Sequence, residues 1–224
     1  MLVLSWNLFH GRSVPGAGRE LFDEFAAILA GVRWDVALLQ EVPPWWTEPL
    51  AVRCDAHAAA ALTSRNFALP ARRALARRFP DVIKSNGGGA NAILSRAPLD
   101  AVRAVRLRTW PERRVAQIAR LGDGTVLSNH HGSVRVPLAE DELGRLGKLV
   151  LAQAAATGAA VLGGDLNLRD PHVPGMEHIA ARDVDHIFAA GFARASSRVE
   201  QRSARLGEGE VELSDHPPLL AELG

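Results

Sequence analysis

Short apolar runs recur along the chain, and nearly every one ends or begins on a polar side chain. Leu2-Val3-Leu4-Ser5-Trp6 closes on Asn7, and Val36-Ala37-Leu38-Leu39-Gln40 closes on Glu41. Thr125-Val126-Leu127-Ser128-Asn129 leads into His130-His131, and Ala159-Ala160-Val161-Leu162-Gly163-Gly164 into Asp165 and Asn167. Asp185-His186 opens Ile187-Phe188-Ala189, and Asp215-His216 stands before Pro217-Pro218-Leu219-Leu220. Runs of this kind read as buried strands, and strand ends hold side chains rigidly while leaving them open to solvent. The pattern therefore predicts one polar site assembled from many strand ends.

Extending the reading predicts strands over residues 2–8, 34–40, 91–95, 101–108, 113–121, 125–130, 159–164, 184–189 and 216–222. Leu21, Phe22, Phe25, Ile28 and Leu29 follow helical spacing, with Gly31 where a helix stops. Pro43-Pro44 ends the second strand and opens a helix containing Trp45 and Trp46, which divide between core and rim. Further helices are expected over residues 70–79 and 138–156, the latter ended by Gly158. Gly87-Gly88-Gly89 reads as a loop, and Gly122-Asp123-Gly124 as a hairpin turn. Mixed strands, helices and hairpins predict layered α/β architecture rather than an all-parallel sheet.

Composition narrows this reading. A length of 224 residues with 47% hydrophobic content fits a single domain spanning residues 1–224 with a substantial core. No run approaches the roughly 18 apolar residues of a membrane span, and the N-terminal residues lack the pattern of a secretory leader. The single cysteine, Cys54, reads as buried filler, and a reducing cytoplasm is the expected location. A net charge of +1 gives no global pull on nucleic acid. All but two of the 26 basic residues, Lys84 and Lys148, are arginine. The cluster Arg65, Arg72, Arg73, Arg77, Arg78 and Lys84 reads first as a solvated helix face.

The candidate chemistry rests on carboxylates. If Glu41, Asp165, Asp185 and Asp215 converge, their repulsion calls for a cation, and oxygen donors favour Mg²⁺, with Mn²⁺ as a substitute, over zinc. Such an ion suits phosphoryl transfer. Asn7 and Asn167 add neutral polar contacts, while His131 and His216 can exchange protons near neutral pH. Strand alternation turns His130 away from His131 and makes it structural. His57, His172 and His178 read as loop or surface residues.

In chain order, Trp6-Asn7, Leu39-Gln40-Glu41, Asn129-His130-His131, Gly164-Asp165-Leu166-Asn167, Asp185-His186-Ile187-Phe188 and Ser214-Asp215-His216 resemble the motifs of the endonuclease/exonuclease/phosphatase superfamily. The resemblance runs from residue 2 to about 222. It implies a four-layer α/β sandwich of two packed mixed sheets flanked by helices, with the site at one end of the sheets. It also implies Glu41 as a metal ligand with Asn7 and Asp215 beside the ion, Asp165 as the water-orienting acid, and Asn167 as a phosphate contact. His131 and His216 become the catalytic histidines, with Asp185 supporting His216. Glu112-Arg113-Arg114 resembles a segment that supplies a phosphate-binding arginine, and alternation allows only one of Arg113 and Arg114 to face the site. Two departures argue against an abasic-site endonuclease. Leu8, Phe9 and His10 follow Asn7 without an acid, and the chain contains no tyrosine. His10 is then a candidate replacement polar group.

The expectation is a monomeric, Mg²⁺-dependent phosphoesterase cleaving a phosphodiester by direct attack of water, with DNA or RNA favoured. A phosphatase or a phospholipid or inositol-phosphate esterase on the same scaffold is the first alternative. A silent binding module is the second, although its usual mark, loss of an acid or of the terminal histidine, is missing. A zinc hydrolase using His130 and His131 ranks lower, because neighbouring strand residues point to opposite faces.

Overall fold

The computed structural model describes residues 1–63, 66–81, 89–156, 158–193, 195–206 and 209–224, with Arg205 and Leu206 as backbone alone. Arg65, Lys84, Gly87 and Gly88 lie outside the described residues. In chain order the strands are β1 (Leu2–Asn7), β2 (Ser13–Val14), β3 (Val36–Val42), β4 (His57–Leu62), β5 (Ala90–Ser95), β6 (Leu99–Arg108), β7 (Arg114–Leu121) and β8 (Val126–Asn129). They continue with β9 (Ala160–Asp165), β10 (Glu177–Arg182), β11 (Asp185–Ala190), β12 (Ala195–Val199), β13 (Ser203–Leu206), β14 (Gly209–Leu213) and β15 (Leu219–Leu223). The helices are α1 (Phe22–Gly31), α2 (Thr47–Arg53), α3 (Leu69–Arg78) and α4 (Val136–Ala154), with a 3-10 turn at Phe9–Gly11.

Among the described residues the strands form two six-stranded sheets, ordered β12-β15-β1-β3-β5-β4 and β10-β11-β9-β8-β7-β6, and a small sheet β13-β14-β2. Each large sheet holds one parallel pair, β1 with β3 and β8 with β9, among antiparallel neighbours. Parallel strands end at the same rim, and an antiparallel neighbour begins there. The ends of β1, β3, β8 and β9, the start of β11 and the turn before β15 therefore gather at one edge.

Side-chain alternation assigns the layers. Val3, Val36, Leu38 and Ile93 of the first sheet meet Leu127, Val161 and Ile187 of the second in a core between the sheets. The intervening residues Leu4, Trp6 and Leu39 turn outward onto Phe25 and Leu29 of α1 and Leu50 of α2. Leu162 and Phe188 of the second sheet pack on Leu143, Leu146 and Val150 of α4. Each fully buried side chain of this size contributes about 1.5–3 kcal/mol. The order helix, sheet, sheet, helix is the four-layer sandwich expected from the motifs. Cys54 is buried in the α1–α2 layer.

Some expectations need adjustment. The chain turns at residues 44–46, where Trp46 N donates to Pro43 O at 2.8 Å, and α2 starts only at Thr47. Trp46 is buried and Trp45 sits on the rim. Strands β2, β4, β10, β12, β13 and β14 go beyond the apolar pattern of the sequence. The alanine run of β4 favours helix by propensity, yet it pairs antiparallel with β5 as an edge strand. Helix α3 carries no buried residue. No helix among the described residues is long and apolar enough to cross a membrane.

Candidate active site

Two amides lock the sheets together at the rim. The β3–β5 register slips between Leu39 and Val42, and Glu41 takes a left-handed φ of 50° at this bulge. Asn129, at the end of β8, donates from Nδ2 to Leu39 O at 2.8 Å and Ala92 O at 2.9 Å, both on the opposite sheet. Gln40 Nε2 donates back to Asn129 Oδ1 at 2.8 Å. Both amides are fully buried, where an unpaired polar group costs about 1–3 kcal/mol. Sequence reasoning gave neither residue a role; the available signal was an amide at the matching strand end of each motif.

Asp165 is the hub of the site. Its Oδ2 accepts from Asn7 Nδ2 at 2.9 Å and lies 3.6 Å from His131 Nε2 and 3.8 Å from His216 Nε2. Its Oδ1 accepts from Asn167 N at 3.1 Å, an Asx-type turn that Asn167 tolerates at φ 52°. Asn167 Nδ2 in turn donates to Gly132 O at 3.0 Å. The backbone here demands glycine: a Cβ on Gly164, at φ 141°, would meet His130 O at 1.9 Å. The β8 and β9 ends thus approach closely enough to present His131 and Asp165 together.

His216 reaches the hub from the turn before β15. Trp6 Nε1 donates to His216 O at 2.8 Å, and Ser214 Oγ donates to Asn7 O at 2.6 Å, so β1 fixes this turn. His216 Nδ1 and Asp185 Oδ2 are 2.7 Å apart. Burial works against the charged imidazole, but the Asp185 hydrogen bond and charge, with Asp165 and Asp215, push His216 up to about 9. Burial raises the Asp185 carboxyl to about 6 against the opposing pull of His216. At neutral pH the two form an ion pair. Asp215 is largely exposed, with Oδ1 3.8 Å from His216 Nε2.

Glu41 completes the rim. Its Oε2 lies 2.9 Å from His10 Nε2, and its Oε1 lies 3.8 Å from His131 Nδ1. Burial alone would raise this carboxyl; the His10 hydrogen bond and charge, with His131 and His216, bring it down to about 2. Burial also lowers the His131 imidazole, with Asp165 opposing and the Arg114 charge reinforcing the shift. Arg114 is mostly buried and paired with Glu112, whereas Arg113 is exposed.

His130 turns away from this cluster. It is buried beside Glu142 of α4, with Nε2 3.5 Å from Oε2. Glu142 also accepts from Ser133 Oγ and from Arg108 Nε, each at 2.6 Å. The two neighbouring imidazoles therefore do not converge on one ion. His57 and His172 are exposed. His178 is exposed too, on β10, with its Nε2 3.0 Å from His186 Nδ1 and its ring stacked on Phe188 at 4.5 Å.

Single ligand atoms of Asp165, Asp185 and His216 lie within 4.8 Å of one another. His216 already commits Nδ1 to Asp185 and, protonated, offers no lone pair, so this trio is a poor cation nest. Glu41, Asn7 and Asp215 carry oxygen donors of the kind a hard divalent ion prefers.

The sequence model described as the Endonuclease/Exonuclease/phosphatase family matches residues 4–216. No curated protein matches at a significant level. Among solved structures, truncated TDP2 from Caenorhabditis elegans is similar with a TM-score of 0.72 and 20% identity, over 99% of this chain and 96% of that one. An endonuclease/exonuclease/phosphatase from Beutenbergia cavernae gives 0.70 and 18%, over 100% and 71%. A mannosyl-6-phosphatase from Bacteroides thetaiotaomicron gives 0.69 and 14%, over 100% and 99%. At these identities the structural likeness speaks for the fold.

Proposed function

The chain belongs to the endonuclease/exonuclease/phosphatase family of metal-dependent phosphoester hydrolases, and on that footing we propose that it hydrolyses a phosphodiester, with nucleic acid as the favoured substrate. The observation that carries this reading is the convergence of Asn7, His131 and His216 on one oxygen of Asp165. A single carboxylate oxygen so surrounded can hold a water and receive its proton, with imidazole donors alongside for developing charge.

Glu41, Asn7 and Asp215 would hold Mg²⁺ or Mn²⁺ at the rim. Bound there, the ion would offset charge on the phosphoryl oxygens. Asp165 orients the attacking water and takes its proton as the new P–O bond forms. His216, kept protonated by Asp185, steadies the pentacoordinate phosphorus and supplies a proton to the departing oxygen. His131, held neutral by burial, donates a hydrogen bond to the same centre. Asn167 and Arg114 contact phosphate oxygens; Arg114 is preferred to the exposed Arg113. Contributions from both sheets support reading residues 1–224 as one catalytic domain, which we take to act as a monomer. The lone buried Cys54 fits a reducing cytoplasm.

The test is a substrate panel with Mg²⁺ or Mn²⁺: plasmid, single-stranded DNA, RNA, a soluble inositol phosphate and bis(p-nitrophenyl) phosphate. Cleavage of nucleic acid and of the synthetic diester is expected. Phosphate release from the inositol phosphate alone would move the protein to the phosphatases. A folded protein inert on the whole panel would favour the binding module.

A further inference from the structure

Helix α3 needs an explanation that the core does not give. It buries no side chain, and its sequence, Leu-Pro-Ala-Arg-Arg-Ala-Leu-Ala-Arg-Arg, holds four arginines and no acid. A helix in water is normally stabilised by packing an apolar face, and this one instead presents charge. Arg77 pairs with Glu20 at 3.1 Å, and the nearby Asp23 pairs with Arg53 at 3.3 Å. Arg72 and Arg73 have no carboxylate partner among the described residues.

These arginines border a groove. Its outer part, about 410 Å³, is lined by Pro44, Trp45, Leu69, Arg73 and Arg77. Its inner part is a narrow extension of about 40 Å³ that shares Pro44, Trp45 and Leu69, adds Arg72 and Glu20, and reaches His10. His10 is the residue bonded to Glu41 at 2.9 Å, so the groove lies beside the site with His10 between them. Trp45 forms the wall between the two parts, and its buried Nε1–H meets no acceptor among the described residues.

We propose that the outer groove is a track that holds a single nucleic-acid strand beside the site, with Arg72 and Arg73 on its phosphates and Trp45 against a base. Guanidinium groups match phosphate oxygens, and an indole beside a basic channel is the usual platform for an unpaired base. Arg72–Arg73 and Arg77–Arg78 stand four to six residues apart, roughly 6–9 Å along the axis, so the helix can meet successive phosphates. An anionic membrane would also attract arginines, but a bilayer needs a convex apolar face, and here the charge borders a concave passage. The inference rests on the phosphodiesterase reading and names the substrate for that site.

The test compares the full-length protein with Arg72→Glu/Arg73→Glu, and with Arg72→Gln/Arg73→Gln as a milder pair. The substrates are a 20-nucleotide single-stranded DNA and bis(p-nitrophenyl) phosphate. Charge reversal is expected to lower kcat/KM on the oligonucleotide at least tenfold and leave the small diester unchanged. The slope of log affinity against log salt should flatten by about 0.7 for each phosphate that the variant no longer neutralises. Unchanged oligonucleotide cleavage in both variants overturns the track, as does a loss confined to binding of phosphatidylserine vesicles. If the native protein cleaves the small diester but neither binds nor cleaves the oligonucleotide, the track fails while the diesterase reading stands. If it cleaves no diester yet binds the oligonucleotide through Arg72 and Arg73, the track stands and that reading fails.

Discussion

Asp165 and Asp185 face each other as register partners on β9 and β11, yet only Asp185 bonds His216, at 2.7 Å. Like charges directly opposite on a sheet destabilise it; here the imidazolium of His216 lies beside both. In the mechanism proposed above, this pairing divides the work: Asp185 would orient the histidine, and Asp165 would remain available to water.

Residues acting on one phosphoryl centre should show non-additive losses. Asp165→Asn and His216→Ala are each expected to lower kcat by about 10²-fold or more. The double variant should be less impaired than the product of the two. Steady-state kinetics on a substrate the native protein cleaves decides this, and near-native turnover in either single variant would refute the shared centre.

Removal of the rim carboxylate tests the metal. Millimolar Mg²⁺ or Mn²⁺ should raise the melting temperature of the native protein by mass action, and Glu41→Gln should remove most of that rise. Melting indifferent to metal, together with activity that survives EDTA, would rule out the ion.

The neighbouring histidines should separate cleanly. His131→Ala is expected to cut turnover with little change in the unfolding midpoint. His130→Ala empties a buried position beside Glu142 and should cost about 1–3 kcal/mol of stability, read by denaturant titration. The reverse pattern would withdraw the assignment.

Glu142 sets a stability window on the acid side. Its carboxyl is buried, which raises it, but the nearby His130 and the hydrogen bonds from Ser133 and Arg108 bring it down to about 2 from an ordinary 4.5. A folded value below the unfolded one gives stability that is fully present above about pH 4.5. That stability is lost as pH falls toward 2, on the order of 3 kcal/mol in all. Glu142→Gln should flatten this dependence when midpoints are compared between pH 3 and 6. Equal slopes in the two proteins would sink the idea.

The candidate site's convergence was legible in the sequence because its residues sit where apolar runs stop, a local signal. Asn7, Asp165, His131 and His216 do meet, within 2.9–3.8 Å of the Asp165 carboxylate. In the Gln40–Asn129 brace each amide stands at a strand end in the sequence, but their pairing left no local trace, since they lie 89 residues apart. The bulge that turns Glu41 is invisible for the same reason: it is a property of the β3–β5 pairing rather than of either strand. Edge strands escape the pattern where side chains carry little burial signal. Every residue of β12 is exposed, and β4 is mostly alanine, so backbone pairing defines both. The choice between Arg113 and Arg114 required the register of β7, which places the second inward.

Strand β15 lies between β1 and β12, so the last strand of the sequence pairs with the first. His216 arrives on the turn that precedes it. During synthesis the ribosome delivers Asn7, Glu41 and Asp165 long before this segment, and they wait as an incomplete set. Contacts so distant in sequence form late, because their loop-closure entropy must be overcome first. With His216 acting as proposed, hydrolytic competence would be tied to the completion of the fold: a chain without the His216 segment would lack that imidazole and stay inert toward the phosphoesters around it.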